Sequence, residues 1–364
     1  MPSAAGAAKP KSAPRAVAAW LFTCCGMIFL MVVVGGVTRL TLSGLSITEW
    51  KPVIGIIPPL THAQWAAEFA RYQQVPEYRA LHYGMTLADF KGIYFWEYVH
   101  RLLGRLIGIA FAAPLMWFWL RGQLPRRLGP ALGGILALGF AQGLLGWYMV
   151  KSGLADRVEV SQYRLVAHLL LALAIYSLIL WTALGLYFPS SDRGEQNEGS
   201  RRWRRATEAL IALIGLTIAA GGFVAGTRAG LTYNTFPLMD GRYVPAGYDL
   251  LHPFIRNWFE NIPAIQFDHR LLAETTFAFV LALSAFGLPR QRTLPRSSRI
   301  ALWVLLATVI LQVTLGISTL LLVVPIPLAA AHQAGAVLLL MAAILFRHTL
   351  RQSALMDERE HATI

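Results

Sequence analysis

Long apolar runs set the pattern of this chain. Eight of them lie near residues 17–37, 98–120, 129–150, 164–187, 207–226, 270–288, 300–324 and 328–346. Each approaches or exceeds the about 20 residues that cross a bilayer as a helix. Polar residues collect between the runs, and one connection, after the first run, extends for roughly fifty residues. Within it Trp65, Phe69 and Tyr72 recur at helical spacing. That predicts an amphipathic helix over 62–72 lying in the membrane interface, followed by a second short helix from Pro76 to Phe90. Trp50, Pro52, Pro58 and Pro59 punctuate this connection, and His62 and His82 read as ordinary polar loop residues.

Composition agrees with the pattern. The 364 residues are 56% hydrophobic and 14% charged, against roughly 25% charged in soluble proteins. The chain is therefore an all-α polytopic membrane protein. Its net charge of +13 raises the possibility of a nucleic-acid partner, and the placement of the charge argues against one. Lys9, Lys11 and Arg15 precede the first run. Arg121, Arg126 and Arg127 follow the second, Arg193, Arg201, Arg202, Arg204 and Arg205 follow the fourth, Arg290, Arg292, Arg296 and Arg299 follow the sixth, and Arg347 and Arg351 follow the eighth. All fall on one side of an eight-span arrangement, the positive-inside pattern with both termini cytoplasmic. The two cysteines, Cys24 and Cys25, are adjacent in the first run and offer neither a disulfide framework nor a metal site. Residues 1–16 are rich in Ala and Pro, and the apolar run after them exceeds a signal-peptide core, so the first span is expected to be retained.

The second half replays the first. Thr38-Arg39 returns as Thr227-Arg228, His100-Arg101 as His269-Arg270, Gln142 and Gly146 as Gln312 and Gly316, and His168 as His332. Four matches in the same order mark an internal duplication. With an even number of spans per copy, the halves keep one orientation about an axis along the membrane normal. The expected architecture is two tandem pseudo-symmetric four-helix bundles: residues 1–188, a cytoplasmic linker at 189–205, and residues 206–364.

Candidate chemistry follows from the duplicated positions. His100, His168, His269 and His332 lie near the outer ends of runs two, four, six and eight, so each half brings two imidazoles to one depth. Facing histidines on neighbouring helices are how bundles hold a heme. Zinc or copper also takes imidazole but usually recruits a third ligand. Arg39, Arg101, Arg228 and Arg270 flank the same runs, either anchoring the helices at the interface or meeting heme propionates. Gly35-Gly36, Gly221-Gly222, Gly104 and Gly108 read as plain helix packing. Glu97, one turn before His100 at the outer mouth of its helix, is expected near the membrane boundary, where ionisable groups mark function by default. Its counterpart in the second half is Gln266, at the same 169-residue offset that relates His100 to His269. A carboxylate at a heme edge can act as acid, base or electrostatic stabiliser, which assigns chemistry to the first half and cofactor holding or electron relay to the second.

The doubled eight-helix plan, the Glu97-x-x-His100-Arg101 motif, the Gln142-Gly143-Leu144-Leu145-Gly146-Trp147 run and the four histidines together resemble the heme A synthase family, essentially from Gly35 to His332. The form it resembles is that of Gram-negative bacteria and mitochondria, which lacks a cysteine pair in the first outer loop. The resemblance implies a heme-dependent oxidoreductase of the bacterial inner membrane that oxidises a ring methyl of heme O to the formyl group of heme A. It implies Glu97 as catalytic carboxylate, His100 and His168 flanking the substrate heme, and His269 and His332 as axial ligands of heme b. It further implies an electron donor at the membrane or outer side and, as partners, heme O synthase and oxidase assembly factors. The long outer loop would cover the porphyrin and its farnesyl chain. Two alternatives stand beside it: a duplicated di-heme cytochrome b electron carrier, and a heme transporter.

Overall fold

A computed structural model describes residues 13–50, 54–155, 158–189, 198–288 and 294–352. In chain order the α-helices are α1 (Ala13–Leu40), α2 (His62–Tyr72), α3 (Pro76–Leu81), α4 (Leu87–Leu120), α5 (Leu128–Ala155), α6 (Gln162–Tyr187), α7 (Glu198–Thr227), α8 (Asn257–Glu260), α9 (Ile262–Gly287), α10 (Arg296–Leu321) and α11 (Ile326–Gln352). Among the described residues eight of these, all but α2, α3 and α8, are long and apolar enough to cross a membrane. Helices satisfy every backbone donor and acceptor internally, which the hydrocarbon demands of any spanning segment.

The same neighbours recur in each half. In the first, α1 packs on α4 and α6, while α5 packs on α6 and more loosely on α4. In the second, α7 packs on α9 and α11, and α10 packs on α11 and α9. The halves meet where α6 lies on α7 and α11 lies on α1. One apolar core runs through both, with Leu21, Ile179, Leu210, Leu302 and Phe346 buried in it. A separate small core lies between α2, α3 and the start of α4. There Trp65, Phe69 and Tyr72 of α2 meet Phe90 and Tyr94 of α4, with ring centroids 4.9–5.3 Å apart for Trp65–Tyr94, Phe69–Phe90 and Tyr72–Phe90.

Several expectations are corrected here. The apolar face of the 62–72 helix packs on protein, because α4 extends beyond the apolar run to receive it. Residues 98–120 are only the later part of α4, which begins at Leu87 behind a Thr86–Asp89 capping box. Glu97 therefore sits about 15 Å inside the helix and not at its mouth. The Pro76–Phe90 helix is also broken: α3 ends at Leu81, and Gly84, at φ +82°, turns the chain before α4. The seventh span stops at Leu321 and not at 324, since Val323 and Val324 take left-handed conformations ahead of Pro325. Of the 189–205 linker, residues 190–197, Arg193 among them, lie outside the described residues, whereas Arg201, Arg202, Arg204 and Arg205 form the first turns of α7. Lys9, Lys11, Pro52, Arg290 and Arg292 also lie outside the described residues. Both cysteines are free and buried in α1.

Candidate functional site

Each of the four histidines lies against a glycine of a neighbouring helix. A Cβ added at Gly35 of α1 would stand 3.6 Å from His100 Nε2 on α4. At Gly146 of α5 it would come within 3.0 Å of His168 Cε1, at Gly221 of α7 within 2.9 Å of His269 Cε1, and at Gly316 of α10 within 2.8 Å of His332 Cε1. Contacts under about 3.4 Å lie inside ordinary packing distance, so three of these glycines are required by the ring above them. The sequence reading of Gly221 as plain helix packing missed this: the glycine makes room for an imidazole.

Hydrogen bonds then orient the rings. His269 Nδ1 faces the Thr217 carbonyl at 3.1 Å. A carbonyl only accepts, so Nδ1 carries the proton and Nε2 keeps its lone pair for a metal. Gln142 Nε2 donates to the backbone carbonyl of His168 at 2.9 Å. Among the described residues, His168 Nδ1, His332 Nδ1, Gln142 Oε1 and Gln312 Oε1 are buried without a hydrogen-bond partner, and all four side chains line one cavity. His269 and His332 face each other with ring centroids 6.5 Å apart and planes at 81°. That separation leaves room for a metal ion between two imidazole nitrogens, so this pair would be the residues to hold a heme here. Among the described residues no cluster of three His, Cys, Asp or Glu side chains could hold a metal ion.

The cavity measures about 1620 Å³ and is lined by all four histidines, so it runs through both halves. Ordinary small-molecule pockets occupy about 300–1,000 Å³; this one has room for more than a single such ligand. Its walls differ between halves. Gly104 and Gly108 of α4 and Gly139 and Gly143 of α5 line the first compartment. Nothing approaches a Cβ within 4 Å at Gly108, Gly139 or Gly143. At the matching offsets the second compartment has Ala273, Phe277, Val309 and Val313, which also line it.

Glu97 is almost fully buried, at 2% exposure, and every oxygen is engaged. Oε1 pairs with Arg101 at 2.5 Å, while Oε2 accepts from the Ser46 hydroxyl and the Ile47 amide, both at 2.7 Å. Arg101 also donates to the Ile47 and Glu49 carbonyls. The motif therefore clamps the start of the outer loop while Glu97 borders the cavity. Gln266 and Arg270 do the same work in the second half without a charge pair. Gln266 Nε2 donates to Tyr233 O at 3.2 Å, and Arg270 donates to Tyr233 O and Thr235 O at 2.7 and 2.8 Å.

The other two arginines meet across the seam. Arg39 of α1 and Arg228, just past α7, both bind Glu159, at 2.5 and 2.6 Å. Arg39 also donates to the Ala225 and Gly226 carbonyls at the end of α7. Glu159 escaped the sequence reading: it is an acid in a short connection, and its partners lie 120 and 69 residues away. The structure thus brings all nine sequence-selected site residues to the wall of one cavity, with Arg39 and Arg228 joined through a residue that pattern alone does not single out.

Fold and site together define a polytopic helical membrane protein with paired imidazoles facing a large apolar cavity. The chain belongs to the COX15-CtaA family, described as cytochrome oxidase assembly protein, which it matches over residues 18–344. It is 52% identical to a protein named heme A synthase from Nitrosospira multiformis, over 93% of this chain and 94% of that one. A heme A synthase from Rhodospirillum centenum is 50% identical over 96% and 92% of the two chains, and one from Nitrosomonas eutropha 49% identical over 90% and 92%.

Proposed function

We propose that this protein is an oxidoreductase acting on heme O, converting a ring methyl to the formyl group of heme A for terminal oxidase assembly. The observation that carries the reading is the continuous cavity bordered by two histidine pairs, one pair with facing rings and the other beside a buried carboxylate. In this reading the halves are tandem copies with divided labour, meeting at the 189–205 linker. His269 and His332 hold heme b in the C-terminal half. When bound, heme b supplies one-electron redox chemistry. His100 and His168 flank the substrate in the N-terminal half, where the glycine-lined walls of α4 and α5 accommodate the bulk of heme O.

Glu97 borders that compartment, and its charge is held ready by Arg101, Ser46 and Ile47. Oxidising a methyl at the porphyrin edge builds positive charge there, and a preorganised carboxylate stabilises it or takes up the released proton. Arg39, Arg101, Arg228 and Arg270 line the cavity as propionate partners. The arginine clusters at the opposite helix ends support a topology with both termini in the cytoplasm of a bacterial cell and the hemes near the outer face of its inner membrane. Heme O synthase, oxidase assembly factors and an electron donor at the membrane or outer side complete the setting.

The test is to supply purified protein with heme O, a reductant and dioxygen and to separate the extracted pigments. Heme A or its hydroxymethyl precursor, together with retained heme b, is the expected result. A second reading, a di-heme electron carrier, draws support from the full engagement of Glu97 in clamping the loop. It expects two equivalent bound hemes and no conversion.

A further inference from the structure

Beside the proposed substrate compartment a second buried carboxylate reaches the cavity wall. Glu77 of α3 is only 3% exposed and borders the same cavity as Glu97 and His100. Its Oε2 accepts from the Tyr72 hydroxyl at 3.2 Å, and that hydroxyl lies 2.5 Å from His82 Nδ1. Tyr72 is fully buried in the small aromatic core, whereas His82 is only half-buried, in the turn between α3 and α4. The three groups form one unbroken hydrogen-bonded line from the outer surface to the cavity. Nothing in the packing of the loop needs an acid at this depth, since an apolar residue would fill the place without desolvation cost. α3 itself lies against the outer part of α5.

We propose that Glu77, Tyr72 and His82 form a proton relay between the substrate compartment and the outer aqueous phase. The proposal rests on the functional reading above. In the outward step the Glu77 carboxyl gives its proton to the Tyr72 oxygen as Tyr72 gives its own to His82 Nδ1. His82 then releases its Nε2 proton to water, and Glu77 is recharged by a proton freed at the substrate. No electron moves in this path. The charged groups around Glu77 suit it to the task. Burial, with Glu97 of α4 and Glu159 of the α5–α6 connection adding negative charge, pushes its carboxyl up to about 8, against the Tyr72 hydrogen bond and Arg39 of α1. Burial, with Arg228 adding to it, lowers His82, so that it is neutral and able to accept at neutral pH. Burial and the neighbouring Glu77 raise Tyr72, so it stays a neutral hydroxyl as one proton arrives and another leaves.

Two measurements test it on the full-length, heme-loaded protein. Infrared titration should show a protonated carboxyl band that ionises near pH 8 and vanishes in Glu77→Gln; a band unchanged in that variant overturns the assignment, whether or not heme O is converted. Heme O turnover across pH and in D₂O is the second. Glu77→Gln and Tyr72→Phe, the latter keeping the ring on Phe90, should each slow conversion by roughly a hundredfold. Both should lose the wild-type solvent isotope effect and the limb near pH 8, while retaining heme b. Wild-type rate and pH profile in Tyr72→Phe would overturn the relay while leaving the synthase reading standing. Failure of the wild-type protein to convert heme O would overturn that reading instead.

Discussion

Each half carries four spanning helices with the same order of neighbours, and under the proposed function they differ where a substrate and a cofactor would make different demands. A permanent heme is best held by close walls and two strong ligands. The second compartment has Ala273, Phe277, Val309 and Val313 around the His269–His332 pair, and a closer α9–α10 contact. A substrate must enter and leave. The first compartment replaces those four residues with Gly104, Gly108, Gly139 and Gly143 and packs α4 more loosely on α5. The first half also exchanges Gln266 for Glu97, adding a charge at the one place where chemistry would need it. The cavity wall thus differs between the halves, while each of the four histidines keeps a glycine beside it.

The largest expected effect breaks the symmetry of the ligands. His269→Ala or His332→Ala should abolish the low-spin heme spectrum of the purified protein, because bis-imidazole ligation needs both partners. His100→Ala should leave most of that spectrum and stop conversion. Equal loss from all three would erase the division of labour.

Next are the glycines beneath the rings. Gly316→Ala and Gly221→Ala put a Cβ within 2.8 and 2.9 Å of an imidazole and should lower heme b content severalfold, as overpacking costs typically 1–3 kcal/mol. Gly35→Ala, at 3.6 Å from His100, should be tolerated. Pigment-to-protein ratios after purification read all three.

Transplanting the wall tests the comparison from the other side. Gly108→Phe with Gly139→Val copies the second compartment into the first. It should weaken heme O binding about tenfold or more, a change of about 1.4 kcal/mol, with heme b unaffected. Unaltered affinity would mean that substrate does not use the α4–α5 side. The loop clamp is read by stability and not by heme content: Ser46→Ala removes one of three bonds to Glu97 and should cost about 1.5–3 kcal/mol in thermal unfolding, as hydrogen bonds to charged groups do.

Much of this was legible in the sequence for a physical reason. Spanning helices need long apolar runs, and duplication leaves the costly residues, His and Arg, at repeated offsets, so the eight spans and four histidines stand out. The boundaries did not, because Leu87–Trp96 mixes Asp89, Lys91 and aromatic residues and carries no apolar run, yet it is helical through its capping box and its contact with α2. Glu159 and the Glu77–Tyr72–His82 line were hidden for a related cause. Their partners lie in other elements, and a single acid or histidine in a polar loop has no periodicity to betray it. The glycines were visible but ambiguous: only the neighbouring ring reveals which one makes room for a histidine.

The central claim is that the first half does chemistry and the second holds a cofactor, and Glu97→Gln tests it most directly. The substitution copies Gln266 while keeping volume and the contact to the outer loop. Purified variant should be incubated with heme O, reductant and dioxygen, and its pigments extracted. Full heme b content, with conversion of heme O reduced by about a hundred- to a thousandfold, is the result expected. Heme A formed at near the wild-type rate would remove the carboxylate from the mechanism and leave the two halves chemically equivalent.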